Sequence, residues 1–271
     1  MPSQHELKMC SYGGTDIGRR RAINEDSYLA DDELGLWVVA DGMGGHAAGE
    51  VASRESVDVI FGMVRRGKLS LNLGGEPSEE KARAACRVLE GAVQAATYLV
   101  FAMAELDRGK AGMGTTISAM MRFGNSVVLA QVGDSRIYRV RERKAQQLTE
   151  DHTLIAWQLR QGLITEDEAR VSKQRNVITR AVGSRDYVQV DTSVWESNPG
   201  DAFLLCSDGL HGYVNLEEIG HALTQGGERA VRSLIGLANS RGGKDNITAV
   251  VVEVSADAES ITSPPDAESA S

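Results

Sequence analysis

The chain has 271 residues, a length that suits one large domain or two small ones. Its 29 Lys and Arg against 38 Asp and Glu give a formal net charge of −9, which excludes an electrostatically driven binder of nucleic acid or anionic lipid. The content of 42% hydrophobic and 25% charged residues excludes wholesale disorder and the fibrous classes. Taken in chain order, residues 1–10 read as an N-terminal extension, and the first β-rich run is 34–40. Helical composition follows at 50–65 and 79–106, with a Gly- and Pro-containing surface loop at 67–78 between them. The runs 115–122, 126–132 and 137–141 read as strands joined at Gly124-Asn125 and at Gly133 to Ser135, a pattern of antiparallel hairpins. Residues 153–169, with Trp157, Leu159, Leu163 and a helix start at Thr165 followed by Glu168, read as a small helical insertion. Strands are expected again at 188–194, 202–206 and 247–254. From Ser255 the chain turns to Ser, Ala, Pro264-Pro265 and the acids Asp257, Glu259, Asp266 and Glu268, so 255–271 reads as a disordered acidic tail. The class is α+β, with no internal repeat.

Cys10, Cys86 and Cys206 are few, odd in number and far apart, unlike a secreted disulfide framework, and they form no Cys-x-x-Cys zinc pattern. The N-terminus lacks the apolar stretch of a signal peptide, and the most apolar run, 95–104, is too short to span a bilayer. A cytoplasmic location without membrane insertion is the expectation.

The aspartates carry the information. The apolar run 36–40 leads straight into Asp41-Gly42, and 203–207 leads into Asp208-Gly209. One such ending is commonly a hairpin turn, but here it occurs twice. A third acid, Asp245, precedes the last strand, and Asn24-Glu25-Asp26 lies near the start. Carboxylates delivered to a sheet rim beside glycines suit hard, oxygen-seeking cations such as Mg²⁺ or Mn²⁺. Two such ions about 3.5 to 4 Å apart acidify a shared water and clamp a phosphoryl oxygen, which is phosphoester hydrolysis without a protein nucleophile. Arg19, Arg20 and Arg21 then become candidates to bind the phosphate dianion.

Other motifs have competing readings. Residues 42–47 fit the dinucleotide pattern GxGxxA, but Asp41 would point its charge at the pyrophosphate. No Gly-Lys pair is followed by the Ser or Thr of a Walker loop. Ser135 and Ser207 lie outside any GxSxG elbow, so turn or cap duty is their default. His46, His152 and His211 could be acids or ligands, although surface or capping roles are the plainer readings. Cys206 reads as a small buried hydrophobe.

The ordered motifs TDIG from Thr15, RAINED over 21–26, VADGMGGH over 39–46, GMGTT over 112–116, VGDSR over 132–136, LCSDG over 205–209 and KDNIT over 244–248 resemble bacterial members of the metal-dependent protein phosphatase family, type 2C or PPM. The resemblance covers residues 11–254 and implies an αββα sandwich of two antiparallel sheets flanked by helices, with a small helical flap at about 149–185. It implies hydrolysis of phosphoserine and phosphothreonine in proteins with two Mn²⁺ or Mg²⁺ ions. Phosphorylated proteins and a cognate Hanks-type Ser/Thr kinase are the implied partners, with no nucleic acid, and a monomer is expected. By position, Asp41 bridges the ions, Gly42 offers its carbonyl, Asp208 and Asp245 hold one ion and Glu25 the other. Asp26 is the hydrogen-bonded neighbour, and Arg21 binds the phosphate. Two departures follow. Met43 stands where eukaryotic relatives carry histidine, which leaves the leaving-group acid unassigned. Ala111 and Gly112 stand nearest the place sought for an aspartate of a third ion.

Overall fold

The computed structural model describes residues 7–44, 48–70, 78–174 and 176–256. In chain order the strands are β1 (Leu7–Asp16), β2 (Asp26–Asp31), β3 (Leu36–Met43), β4 (Gly114–Thr115), β5 (Ile117–Phe123), β6 (Ser126–Val132), β7 (Arg136–Arg141), β8 (Lys144–Gln147), β9 (Asp191–Glu196), β10 (Ala202–Cys206) and β11 (Ile247–Ala256). The helices are α1 (Ala48–Ser70), α2 (Glu79–Leu106), α3 (Leu154–Arg160), α4 (Glu166–Val171), α5 (Asp208–His211), α6 (Leu216–Leu223) and α7 (Gly227–Ser240). One antiparallel sheet has the order β1-β11-β10-β7-β8; the other runs β2-β3-β5-β6-β9, with β4 beside β3.

Strand β10 and residues 36–40 of β3 are apolar throughout because both of their faces are covered. Trp37 and Val39 of β3 meet Phe203 and Leu205 of β10 and Val250 and Val252 of β11 between the sheets. The alternate residues Leu36, Val38 and Ala40 pack under α1 and α2, while Leu204, Cys206, Ala249 and Val251 pack under α6 and α7. This is the expected αββα sandwich. Helix α2 buries Ala85, Leu89, Ala92, Val93, Ala96 and Val100 along one face, and Ser78 caps its start by accepting from the Lys81 amide.

Several boundaries differ from expectation. Residues 7–10, expected as part of an N-terminal extension, belong to β1 and pair with β11, while residues 1–6 lie outside the described residues. Strand β11 likewise takes in Ser255 and Ala256, while the rest of the expected tail lies outside the described residues. Helix α1 extends through Gly67 into the expected loop, of which 71–77 also lies outside. The expected helical insertion consists of two short helices: Gly162 adopts φ +66° just beyond α3, and Thr165 starts α4 with the expected capping box. Strand β9 begins at Asp191, not at 188.

Candidate metal and phosphate site

The acids meet where strands of both sheets end. Asp41 on β3 lies opposite Asp26 on β2 in the antiparallel register. Its amide donates to Thr116 Oγ1 at 3.0 Å, and its carbonyl accepts from Thr115 Oγ1 at 2.8 Å and the Thr116 amide at 2.9 Å. Gly42 follows, and a Cβ there would strike the Gly49 and Glu25 carbonyl oxygens, so only glycine lets β3, the start of α1 and residue 25 converge. The Gly42 amide donates to the Glu25 carbonyl at 3.1 Å, and the Gly49 amide donates to the Glu25 carboxylate at the N-terminus of α1.

Asn246 stitches the site together. Its Oδ1 accepts from the Glu25 amide at 2.8 Å, and its Nδ2 donates to the Ile17 and Ile23 carbonyls at 3.0 Å each. Asp245 is thereby held beside the 17–25 segment. Gly209 after Asp208 lies directly against the Asn246 carbonyl oxygen, with no room for a Cβ. Gly209→Ala is therefore expected to cost about 1–3 kcal/mol through backbone displacement, read in a urea melt, and to depress activity beyond that by shifting Asp245.

Arg21 Nη2 donates to Asp245 Oδ2 at 2.7 Å, and its Nη1 lies 3.9 Å from Glu25 Oε2. Asp26 Oδ2 accepts from Ser207 Oγ at 2.8 Å and Thr248 Oγ1 at 2.6 Å. The opposite oxygen, Asp26 Oδ1, is buried without a hydrogen-bond partner, and so is Asp208 Oδ1.

The acids raise one another's pKa. Burial, then Asp26, Asp208, Asp134 and Asp245, push Asp41 well above the carboxylate range. Burial lifts Asp26 to about 7 against the pull of its two hydroxyl partners, with Asp208 and Asp245 adding to the rise. Asp208 is raised by burial and Asp245, and it lies within hydrogen-bonding reach of Asp41. Burial raises Glu25 against the opposing pull of Arg21. Crowded carboxylates with unpartnered buried oxygens and no soft ligand among them fit hard divalent cations. Among the described residues, no three His, Cys, Asp or Glu side chains are spaced to enclose an ion as they stand, and Asp245 is turned onto Arg21.

The sequence reading missed Asp134. This residue is buried and raised to about 7 by desolvation and then by Asp208, so it joins the cluster, whereas Ala111 and Gly112 are exposed. His211 donates from Nε2 to the Asp134 carbonyl at 2.9 Å, and burial lowers its pKa to about 4, so the ring is a neutral prop. Ser207 holds Asp26, Ser135 pairs with Thr116 at 2.7 Å, and the buried Cys206 thiol is pushed up by desolvation. His152 is buried at the root of the insertion, and His46 lies outside the described residues.

The sequence pattern of the protein phosphatase 2C family matches residues 14–234. The chain belongs to that family. This phosphatase is 38% identical over 245 residues to the serine/threonine phosphatase stp of Listeria monocytogenes, covering 88% of this chain and 93% of that protein. It is 38% identical over 242 residues to the serine/threonine protein phosphatase PstP of Mycobacterium tuberculosis, covering 89% of this chain and 44% of that longer protein. The solved M. tuberculosis PstP/Ppp structure matches with a TM-score of 0.79 at 36% identity, covering 92% of this chain and 98% of that one. A PstP catalytic domain in complex with two manganese ions matches with a TM-score of 0.78 at 35% identity, covering 92% and 99%.

Proposed function

We propose that the chain is a metal-dependent protein-serine/threonine phosphatase that hydrolyses phosphoserine and phosphothreonine in proteins and reverses a Hanks-type kinase. The observation that carries this is the carboxylate cluster with two buried, unpartnered oxygens beside an exposed arginine. The site's residues fit two Mn²⁺ or Mg²⁺ ions: Asp41 and the Gly42 carbonyl would serve both, Asp208 and Asp245 would hold one, and Glu25 would hold the other. Asp26, fixed by Ser207 and Thr248, would use its buried, unpartnered Oδ1 to accept a hydrogen bond at that site. When bound, the ions supply Lewis acidity that sharpens a water as nucleophile and neutralises phosphoryl charge. Asp134 extends the same cluster and could serve a further cation. The three free cysteines agree with a reducing cytoplasm, and among the described residues no helix is long and apolar enough to cross a membrane. A monomer is the state proposed.

Arg21 is exchangeable between two anionic partners: it holds Asp245 here and turns to the phosphate when substrate arrives. Arg21→Ala is expected to lower kcat/KM for a phosphothreonine peptide about tenfold or more, with Arg21→Lys only partly restoring it. Affinity for Mn²⁺, measured by calorimetry, should not weaken, because Asp245 loses a competing cation. A parallel loss of Mn²⁺ affinity would assign Arg21 a structural role.

The central test compares a phosphothreonine peptide, p-nitrophenyl phosphate and bis-p-nitrophenyl phosphate with Mn²⁺, with Mg²⁺ and after chelation. Cation-dependent turnover of the monoesters is expected. Preference for the diester would favour a phosphodiesterase, and no turnover at all would favour a scaffold built on the phosphatase fold.

A further inference from the structure

Beside the site lies a cavity of about 540 Å³ whose wall includes Met43 on one side and Ala181, Arg180, Arg185, Tyr187 and Val188 on the other. We propose that it is a subsite for an acidic side chain, glutamate or aspartate, of the substrate protein next to the phosphorylated residue. The proposal rests on the phosphatase reading and names the substrate class for that same centre.

Position comes first. Met43 is two residues past Asp41 on an extended strand, so the cavity begins roughly 7 Å along the chain from the acid cluster. A bound peptide advances by about 3.3–3.6 Å per residue, which places the cavity within reach of a neighbour a few positions from the phosphoresidue.

The wall is fixed before any substrate arrives. Thr115 and Val182 exchange both backbone hydrogen bonds, at 3.0 and 2.9 Å, and Met43 lies opposite Gly114 in the same short ladder. The Thr179 amide donates to the His152 carbonyl at 2.8 Å, and Arg180 Nη1 donates to Asp191 Oδ1 at 2.7 Å. His152 completes the clamp. Its Nδ1 accepts from the Gly133 amide at 3.2 Å, so Nε2 bears the proton and faces Asp191 Oδ2 at 3.0 Å. Ala181 and Val188 are buried and give an apolar floor.

The rim supplies the chemistry. Arg185 is exposed and, among the described residues, makes no hydrogen bond or ion pair, unlike Arg180, which is committed to Asp191. Tyr187 stands beside it, 64% exposed. An unengaged guanidinium over an apolar floor complements a carboxylate on a short methylene stem. The chain as a whole carries a net charge of −9, so an acidic flank gains from a local unengaged cation that offsets the general repulsion.

The test uses the full chain with Mn²⁺ and phosphothreonine peptides in which each flanking position is alanine, glutamate or lysine in turn. Glutamate at one position is expected to raise kcat/KM about five- to tenfold over alanine, mainly through KM. Arg185→Glu should abolish that preference and transfer it to lysine at the same position, with turnover of p-nitrophenyl phosphate unchanged. A glutamate preference that survives Arg185→Glu, a preference for apolar residues only, or no positional effect would each overturn the proposal. If the wild-type chain turns over no phosphomonoester, the phosphatase reading fails. Fluorescence anisotropy of the same labelled peptides on wild type and Arg185→Glu then judges the subsite alone, with equal binding counting against it.

Discussion

Asp208→Asn is expected to lower turnover of a phosphothreonine peptide by about three orders of magnitude or more at saturating Mn²⁺, since each ion's charge stabilisation is worth several kcal/mol. The carboxylate contributes charge at a point where Asp41, Asp134 and Asp245 also bear on it, and its Oδ1 is buried with no partner inside the protein. An amide there keeps the shape and removes the anion, so cation affinity and activity fall together. The fold should survive: removing one of several mutually repelling acids relieves the metal-free protein, and its melting temperature should hold or rise. Asp41→Asn should behave alike in activity. Near-normal turnover of Asp208→Asn at saturating Mn²⁺ would remove Asp208 from the site, and a collapsed melting transition would assign it to the fold.

The parts of this arrangement that were legible in sequence share one physical cause. Strands β3 and β10 and residues 249–252 of β11 are buried on both faces, so they read as apolar runs, and an acid next to such a run stands out. Strand β1 was missed because it carries Gly13 and Gly14, which are small for packing: a Cβ on Gly13 would run into the Tyr28 ring. Strand β2 is short and acidic at both ends, and β8 is a polar edge of four residues. Asp134 was passed over as part of a turn, although it follows an apolar strand just as Asp41 and Asp208 do. The pairing of Arg21 with Asp245 joins residues 224 positions apart, and the cavity beside Met43 is assembled from the end of β3 and the return arm of the flap. Neither leaves a local pattern, because each exists only once the two sheets are packed.

The stabilisation conferred by Mn²⁺ is expected to grow as pH rises from about 6 to about 8. Asp26 and Asp134 are each pushed up to about 7, and Asp41 and Asp208 are raised as well, against 3.8 for an ordinary aspartate. Between those values the metal-free folded chain holds protons that the unfolded chain has released, so its stability falls as pH climbs through the raised pKa values and levels off above them. The contribution is on the order of a few kcal/mol across the cluster. His152 and His211 act in the opposite sense, because burial keeps them neutral in the fold while the unfolded rings gain protons on acidification. Their effect is common to the metal-free and metal-loaded forms and cancels in the difference between them. Cations bind the ionised carboxylates, so at the lower pH they must displace protons first, and at the higher pH they relieve repulsion outright. Thermal melts with and without Mn²⁺ across this range measure the difference directly. A gain in melting temperature that is flat with pH, or larger on the acidic side, would show that the raised carboxylates are not the groups the cations engage.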